Sequence, residues 1–186
     1  MINFKTFISE ALNPEDFLDR QDKEVDLFSG RMQPIHKGHE AILKSMNNPV
    51  VALVKGKKSS EDKVRNPLSA EYQEKLIKKL LPGVKVIIVD TGYIPEINNE
   101  LRKEGLETIR IYAGEDRFKG YQGQIKSFNS QMPEEKQMSV TYKKTERLAS
   151  ATDVRNAIKS DDIEAFKSLM PKKLHKEWDD MRKLIS

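Results

Sequence analysis

Gly30-Arg31-Met32-Gln33-Pro34-Ile35-His36-Lys37-Gly38-His39 is the stretch on which the reading of this chain turns. Before it, Val25-Asp26-Leu27-Phe28-Ser29 is a short apolar run that reads as a buried strand. After it, Ala41, Ile42 and Met46 recur at helical spacing. A glycine and two histidines therefore sit where a strand turns into a helix. Such a junction favours anions, because the first amides of a helix have no intrahelical partner and the helix dipole is positive there. Arg31, His36, Lys37 and His39 add four cationic donors within nine positions. A lone His-x-x-His is more often a solvated surface turn. The strand on one side and the helix on the other shift the weight to a phosphate site.

The rest of the composition narrows the class. The 186 residues suit one domain with short appendages. Hydrophobic residues make up 37% and charged residues 33%, a balance that stays soluble and still builds a core. No apolar run approaches the ~20 residues that span a bilayer, and the start, Met1 to Ala11, does not read as a secretory signal. The absence of cysteine removes disulfides, thiolate nucleophiles and Cys-ligated zinc, and fits a cytoplasmic protein. Three histidines, two of them in the opening stretch, leave none for a His-rich metal cage. A net charge of +4 suits small phosphorylated ligands. Without aromatic-basic interleaving, specific nucleic-acid binding is the poorer expectation.

Taken in order, residues 1–24 read as a short amphipathic helix, through Phe4, Phe7, Ile8 and Ala11, followed by a charged linker. Strands are expected at 25–29, 50–54, 84–89, 107–113 and 139–142. Between them lie the helix after the opening turn, a second helix capped by Ser69 with Tyr72, Leu76 and Leu80 on one face, and a third over 96–104. Residues 118–138 read as irregular and polar. Ser150-Ala151-Thr152-Asp153 caps a helix through Ile158, and two more helices are expected at about 161–169 and 172–185, parted by Pro171. The alternation implies βαβ units: an α/β fold with a Rossmann-like parallel sheet of about five strands, flanking helices and C-terminal helices. Ligands of such sheets bind at the carboxyl ends of the strands. That rule gathers the 30–39 turn, the 55–68 loop, the 91–95 loop and the 114–117 turn, with the Ser150–Arg155 helix start beside them.

The opening stretch resembles the Gly-Arg-Phe-Gln-Pro-x-His-x-Gly-His signature of the His-x-Gly-His nucleotidyltransferases. Asn66-Pro67-Leu68-Ser69-Ala70 resembles the Asn-Pro-Phe-Ser/Thr-Ala segment of archaeal-type nicotinamide mononucleotide adenylyltransferases, and Ser150-Ala151-Thr152-Asp153-Val154-Arg155 the Ser-x-Thr-x-Val-Arg segment of the superfamily. The three occur in the family's order. Met32 stands where the family has Phe, a change expected to alter packing more than chemistry. The resemblance implies a nucleotidyltransferase domain over 25–186 and transfer of AMP from ATP to a phosphorylated acceptor, with nicotinamide mononucleotide first among the candidates. Phosphopantetheine, FMN and a CTP-dependent polyol phosphate reaction are the neighbouring alternatives, and a non-catalytic nucleotide-binding protein the distant one. Mg²⁺ is expected with ATP, held by phosphate and water rather than by a protein ligand set.

Within that reading His36 and His39 contact the triphosphate, and Gly38 lets the backbone approach it. Arg31 holds the triphosphate or the acceptor phosphate. Gly30 opens the turn. Gly114 and Asp116 stand where the family places a Gly-x-Asp that meets the nucleoside, although Asp116 has Arg117 as an alternative partner. Ser150 and Thr152 start a second helix whose amides favour anions, and Arg155, one turn on, reaches the same phosphates. Lys55, Lys57 and Lys58 are either a clamp on phosphates or a solvated face. Tyr93 is either a stacking platform or an ordinary loop tyrosine. Trp178 and His175 read as packing and surface residues.

The leader Met1–Ala11 resembles the capsid-targeting leaders of internal head proteins in T-even-like phages, which end in Ile/Leu-x-Glu before a small residue, as Ile8-Ser9-Glu10-Ala11 does. That resemblance implies a phage enzyme working in the host cytoplasm or packaged in the capsid interior.

Overall fold

The computed structural model describes residues 23–56, 61–146 and 148–185. Residues 1–22, which hold the leader and most of the linker, and Lys57 and Lys58 lie outside the described residues. Five strands form one parallel sheet: β1 (Glu24–Gly30), β2 (Pro49–Val54), β3 (Lys85–Val89), β4 (Glu107–Ala113) and β5 (Thr141–Lys144), in the order β3-β2-β1-β4-β5. Helices α1 (Lys37–Lys44), α2 (Ala70–Leu80), α3 (Ile94–Lys103), α4 (Glu115–Asn129) and α5 (Ala151–Lys159) alternate with them. Helices α6 (Ile163–Leu169) and α7 (Trp178–Ile185) close the described chain, with a 3₁₀ turn at Lys172–Glu177. This is the expected α/β Rossmann-like architecture. Among the described residues no helix is long and apolar enough to cross a membrane.

The central strand shows why the sheet is parallel and double-faced. Leu27 of β1 and Val50, Val51, Ala52 and Leu53 of β2 are all buried. Such unbroken apolar runs need cover on both sides. One layer, built on Leu43, Leu76, Ile77, Val154 and Phe166, joins α1, α2, α5 and the C-terminal helices. The other, built on Ile94, Ile97, Leu101, Tyr121 and Ile125, joins α3 and α4. Asp26 lies fully buried within β1. Its carboxylate is satisfied by Arg110 Nε at 2.5 Å and the Asn47 amide at 3.0 Å, which ties β1 to β4 and to the approach of β2. The chain crosses from β3, on one side of β1, to β4 on the other. The switch in winding therefore falls beside β1, where its C-terminal turn opens into a crevice.

Three expectations are corrected. Residues 118–138 are not irregular throughout, because α4 runs to Asn129. Phe118, Tyr121, Ile125 and Phe128 form its inward stripe, while Gly120 and Gly123, both exposed, lower its helical propensity and mask it in the sequence. Asn129 then pins the return: its side chain accepts from the Met138 amide and donates to the Met138 carbonyl, each at 2.9 Å. The fifth strand begins two residues later than expected. The helix expected over 172–185 is half 3₁₀, because Pro171 starts a tight turn that seats Leu174 in the core.

Candidate active site

At the C-terminal end of β1 the backbone leaves the sheet at Gly30 and re-enters regular structure at Lys37. Met32 takes a left-handed φ of 46°, rare for a residue with a side chain, and the Gln33–Pro34 bond is cis. The Met32 side chain is buried in the core, consistent with a packing role. His36 is the N-cap residue of α1. Its ring stacks on that of His39, with centroids 3.8 Å apart and planes at 24°. Phe28 of β1 meets the far side of His39 edge-on at 5.7 Å. Burial, and after it the neighbouring His36, pushes the His39 imidazole down to about 3, so the ring is neutral at physiological pH. Its Nδ1 is buried without a hydrogen-bond partner.

Gly38 leaves room that a side chain would take from its neighbours. A Cβ there would lie 3.1 Å from the His36 ring and 3.3 Å from the Ala149 amide nitrogen. The missing side chain thus makes room for the histidine and for the loop before α5. Lys37, counted in sequence among the phosphate donors, turns away. Its ammonium donates to the carbonyls of Ser168 at 2.6 Å and Lys167 at 3.3 Å, capping the C-terminal end of α6.

Two side chains brace the turn from opposite flanks. The Gln33 amide donates to the Leu68 carbonyl at 2.7 Å and accepts from the Leu68 amide at 3.0 Å, pairing like a one-residue strand. Arg155 on α5 donates to the Gln33 carbonyl at 2.5 Å and to Thr152 Oγ1 at 3.2 Å. Desolvation first, then the charge of Arg31, lowers the Arg155 pKa, a mark of two guanidiniums converging on one space. Arg31 Nη1 donates to Asn66 Oδ1 at 3.2 Å. At the start of α5, Ser150 Oγ accepts from the Thr152 amide at 3.1 Å, so the cap occupies that donor.

These elements wall a cavity of about 720 Å³. It brings together Gly30, Arg31, His36, Gly38, His39, Gly114, Asp116, Ser150, Thr152 and Arg155, whereas Lys37, Lys55 and Tyr93, the other described candidates, are not on its wall. Gly114 is the N-cap of α4, and a Cβ on it would lie 2.5 Å from the Asp116 carboxylate, which folds back over it. Among the described residues Asp116 forms no ion pair with Arg117. The cavity also takes in Gln33, Arg65, Asn66, Arg117, Glu146 and Lys159, which the sequence reading left without a role. Of these, Gln33 and Asn66 stood inside quoted motifs, and that was the signal available. Five guanidinium or ammonium groups face two carboxylates around the wall, so the space is made for an anion.

The 91–95 loop takes no part. β3 is an edge strand, two places from the switch, and Tyr93 serves as the N-cap of α3. Lys55 lines a smaller pocket of about 200 Å³, which shares Arg31, Gln33 and Asn66 with the main cavity, and lies 3.8 Å from Glu71. Trp178 packs edge-on to Phe166 at 4.9 Å, and His175 Nε2 sits 3.1 Å from the Met170 carbonyl, as packing residues do.

No family model and no curated protein matches the chain. Solved structures do. Nicotinic acid mononucleotide adenylyltransferase of Plasmodium falciparum complexed with NaAD is similar at 12% identity, over 88% of this chain and 97% of that one, with a TM-score of 0.58. The same enzyme complexed with APC gives 13% identity, 88% and 97% coverage and a TM-score of 0.52. TmcAL of Thermotoga maritima, bound with alpha-thio ATP, gives 11% identity over 87% of this chain and a TM-score of 0.56; the chain spans 56% of its length. What is shared at these identities is the fold, one that other proteins use around nucleotides.

Proposed function

We propose that this chain is an adenylyltransferase that moves AMP from ATP to a phosphorylated acceptor, nicotinamide mononucleotide foremost, giving NAD and pyrophosphate. The observation that carries the reading is the stacked His36–His39 pair at the head of α1, facing Arg31 and Arg155 across one anion-seeking cavity. In the reaction an acceptor phosphate oxygen bonds to the α-phosphorus of ATP, the bond from that phosphorus to the bridging oxygen breaks, and pyrophosphate leaves. The acceptor oxygen is already ionised at neutral pH, so neither a nucleophilic side chain nor a base is needed. The work is alignment and neutralisation of charge. Imidazole N–H groups, the α1 amides and Arg155 meet the charge that grows on the leaving pyrophosphate. Arg31, placed between the main cavity and the smaller pocket, holds two polyanions side by side against their repulsion.

Magnesium fits as a companion of ATP. Among the described residues no three His, Asp or Glu side chains converge, and the carboxylates on the cavity wall are Asp116 and Glu146. Bound to the triphosphate, the ion supplies further charge neutralisation. The P. falciparum neighbour is a nicotinic acid mononucleotide adenylyltransferase, and the excess of cations around this cavity would accept the extra carboxylate of a nicotinic acid acceptor. Incubation with ATP, Mg²⁺ and each acceptor in turn tests the proposal. Pyrophosphate release and a dinucleotide product with nicotinamide mononucleotide support it. Release with nicotinic acid mononucleotide, phosphopantetheine or FMN alone reassigns the acceptor. ATP binding without turnover on any acceptor favours a binding protein. The packaging proposal rests on Met1–Ala11 alone, and mass spectrometry of phage particles showing a chain that begins at Ala11 would support it.

A further inference from the structure

Among the described residues the two most exposed large aliphatic side chains are Val64, at 72%, and Leu148, at 65%. Both line the main cavity. Single exposed aliphatics are ordinary on any surface, and Ile88, Ile163 and Leu184 are of that kind, away from the cavity. Two at the mouth of one cation-rich cavity are a different matter. Val64 follows β2 and Leu148 follows β5, strands on opposite sides of β1, so the pair flanks the phosphate turn.

Neither is a loose end. Val64 rides on a turn closed by Asp62, which accepts the Arg65 amide on its side chain at 3.0 Å and the Asn66 amide on its carbonyl at 2.9 Å. Leu148 lies between the Thr145 amide, bonded to the Ala113 carbonyl at 2.9 Å, and Ala149, whose backbone packs against Gly38. The fold thus holds two apolar side chains in water on anchored backbone, where they bury against nothing of its own. A reactant pair of nucleotides has polar phosphates and riboses, which suit the cationic wall. Its only apolar faces are its heterocyclic rings.

We propose that Leu148 and Val64 are the ring-holding residues of this site: Leu148 against the base of ATP, Val64 against the heterocycle of the acceptor. The inference rests on the adenylyl-transfer reading. The allocation follows from neighbours. Leu148 lies between Ser150 and Thr145, whose amide bonds to Ala113 just before the Gly114–Asp116 turn, whereas Val64 lies between Lys63 and Asn66, which line the smaller pocket. An acyclic polyol phosphate would leave Val64 in water, so this residue discriminates against such acceptors and for ones that carry a flat ring.

The test measures dissociation constants of ATP, nicotinamide mononucleotide and inorganic tripolyphosphate for the full chain and its Leu148→Ser and Val64→Ser variants. Exposed positions tolerate such changes without unfolding, and Leu148→Met and Val64→Ile serve as conservative controls. Leu148→Ser is expected to weaken ATP about tenfold, and Val64→Ser to weaken nicotinamide mononucleotide about fivefold, the scale of losing one aliphatic contact. Tripolyphosphate, which has no ring, should bind every variant within about twofold, and the controls should bind like the parent. Equal weakening of tripolyphosphate would overturn the proposal, because the rim would then be shaping the phosphate turn. Unchanged nucleotide binding in both serine variants, or effects on the opposite ligands, would overturn it too. A parent protein that binds neither nucleotide would instead overturn the adenylyl-transfer reading beneath it.

Discussion

The turn from Arg31 to Lys37 is bonded to four other parts of the chain: the Asn66–Leu68 segment through Arg31 and Gln33, α2 through the Ile35 amide on Gln73, α5 through Arg155, and the end of α6 through Lys37. The turn from Gly114 to Arg117, on the far side of the cavity, is bonded mostly to itself. The Arg117 amide returns to the Gly114 carbonyl at 3.0 Å, and Asp116 folds over Gly114. Its outward tie is the exposed pair of Glu115 with Lys144, at 2.5 Å. Under the adenylyl transfer proposed above, the difference would match the demands on each end. In-line transfer at phosphorus loses rate steeply with small displacements, which would call for a braced turn after β1, whereas a base needs only a surface and a few partners.

If bracing marks the reacting end, damage there should cost most. His39→Ala is expected to lower turnover by at least ~10²-fold, the usual size for losing a group that stabilises transition-state charge, in a chain that keeps its native circular dichroism spectrum but melts lower for want of the packed ring. Pyrophosphate release and circular dichroism check both halves, and an unchanged rate would erase the contrast between the two ends. Gly38→Ala comes next. Its Cβ must displace the His36 ring or the Ala149 backbone, so a loss of about 1–3 kcal/mol of stability is expected, with weaker ATP binding. Urea titration measures the first and calorimetry the second. Gln33→Ala leaves the Leu68 amide and carbonyl without their partner, at about 1–2 kcal/mol. Asp116→Asn should stay within ~0.5 kcal/mol in the same titration.

The same turn also responds to pH. The neutral His39 is held at about 3 in the fold, against an ordinary imidazole value of 6.5. Below pH 6.5 the unfolded chain binds a proton that the folded chain refuses. Stability should therefore be flat above 6.5 and fall as the pH drops toward 3, by no more than ~1.4 kcal/mol per unit from this group. Urea midpoints at pH 7.5, 6.0 and 5.0 follow the fall, and His39→Ala should flatten it. A bound polyphosphate works in the opposite sense, since its charge favours the imidazolium.

The strand-to-helix turn from Gly30 to His39 was legible because everything that makes it is local: a short apolar run, a glycine, two histidines and a helical stripe within about two dozen positions. Ser150 and Ser69 were legible as caps for the same reason, and both accept the hydrogen bond expected of them. What escaped depends on distant chain. Nothing near Gln33 shows that its amide will meet Leu68. Nothing near Lys37 shows that α6 will end within its reach. The strand-end rule gathers the 91–95 loop with the rest because it treats strand ends alike, and only the strand order makes β3 an edge. Helix α4 escaped for a local reason: Gly120 and Gly123 hid an inward stripe that was present in the sequence.

The double hydrogen bond from Gln33 to Leu68 has a consequence for motion. It welds the turn after β1 to the segment that leads into α2, so neither can open without breaking the other's contact. Amide hydrogen exchange should therefore report one cooperative opening for residues 33–36 and 66–69, with matched protection in both. A ligand that steadies one segment would slow exchange in the other, and Gln33→Ala would split them into two independent rates.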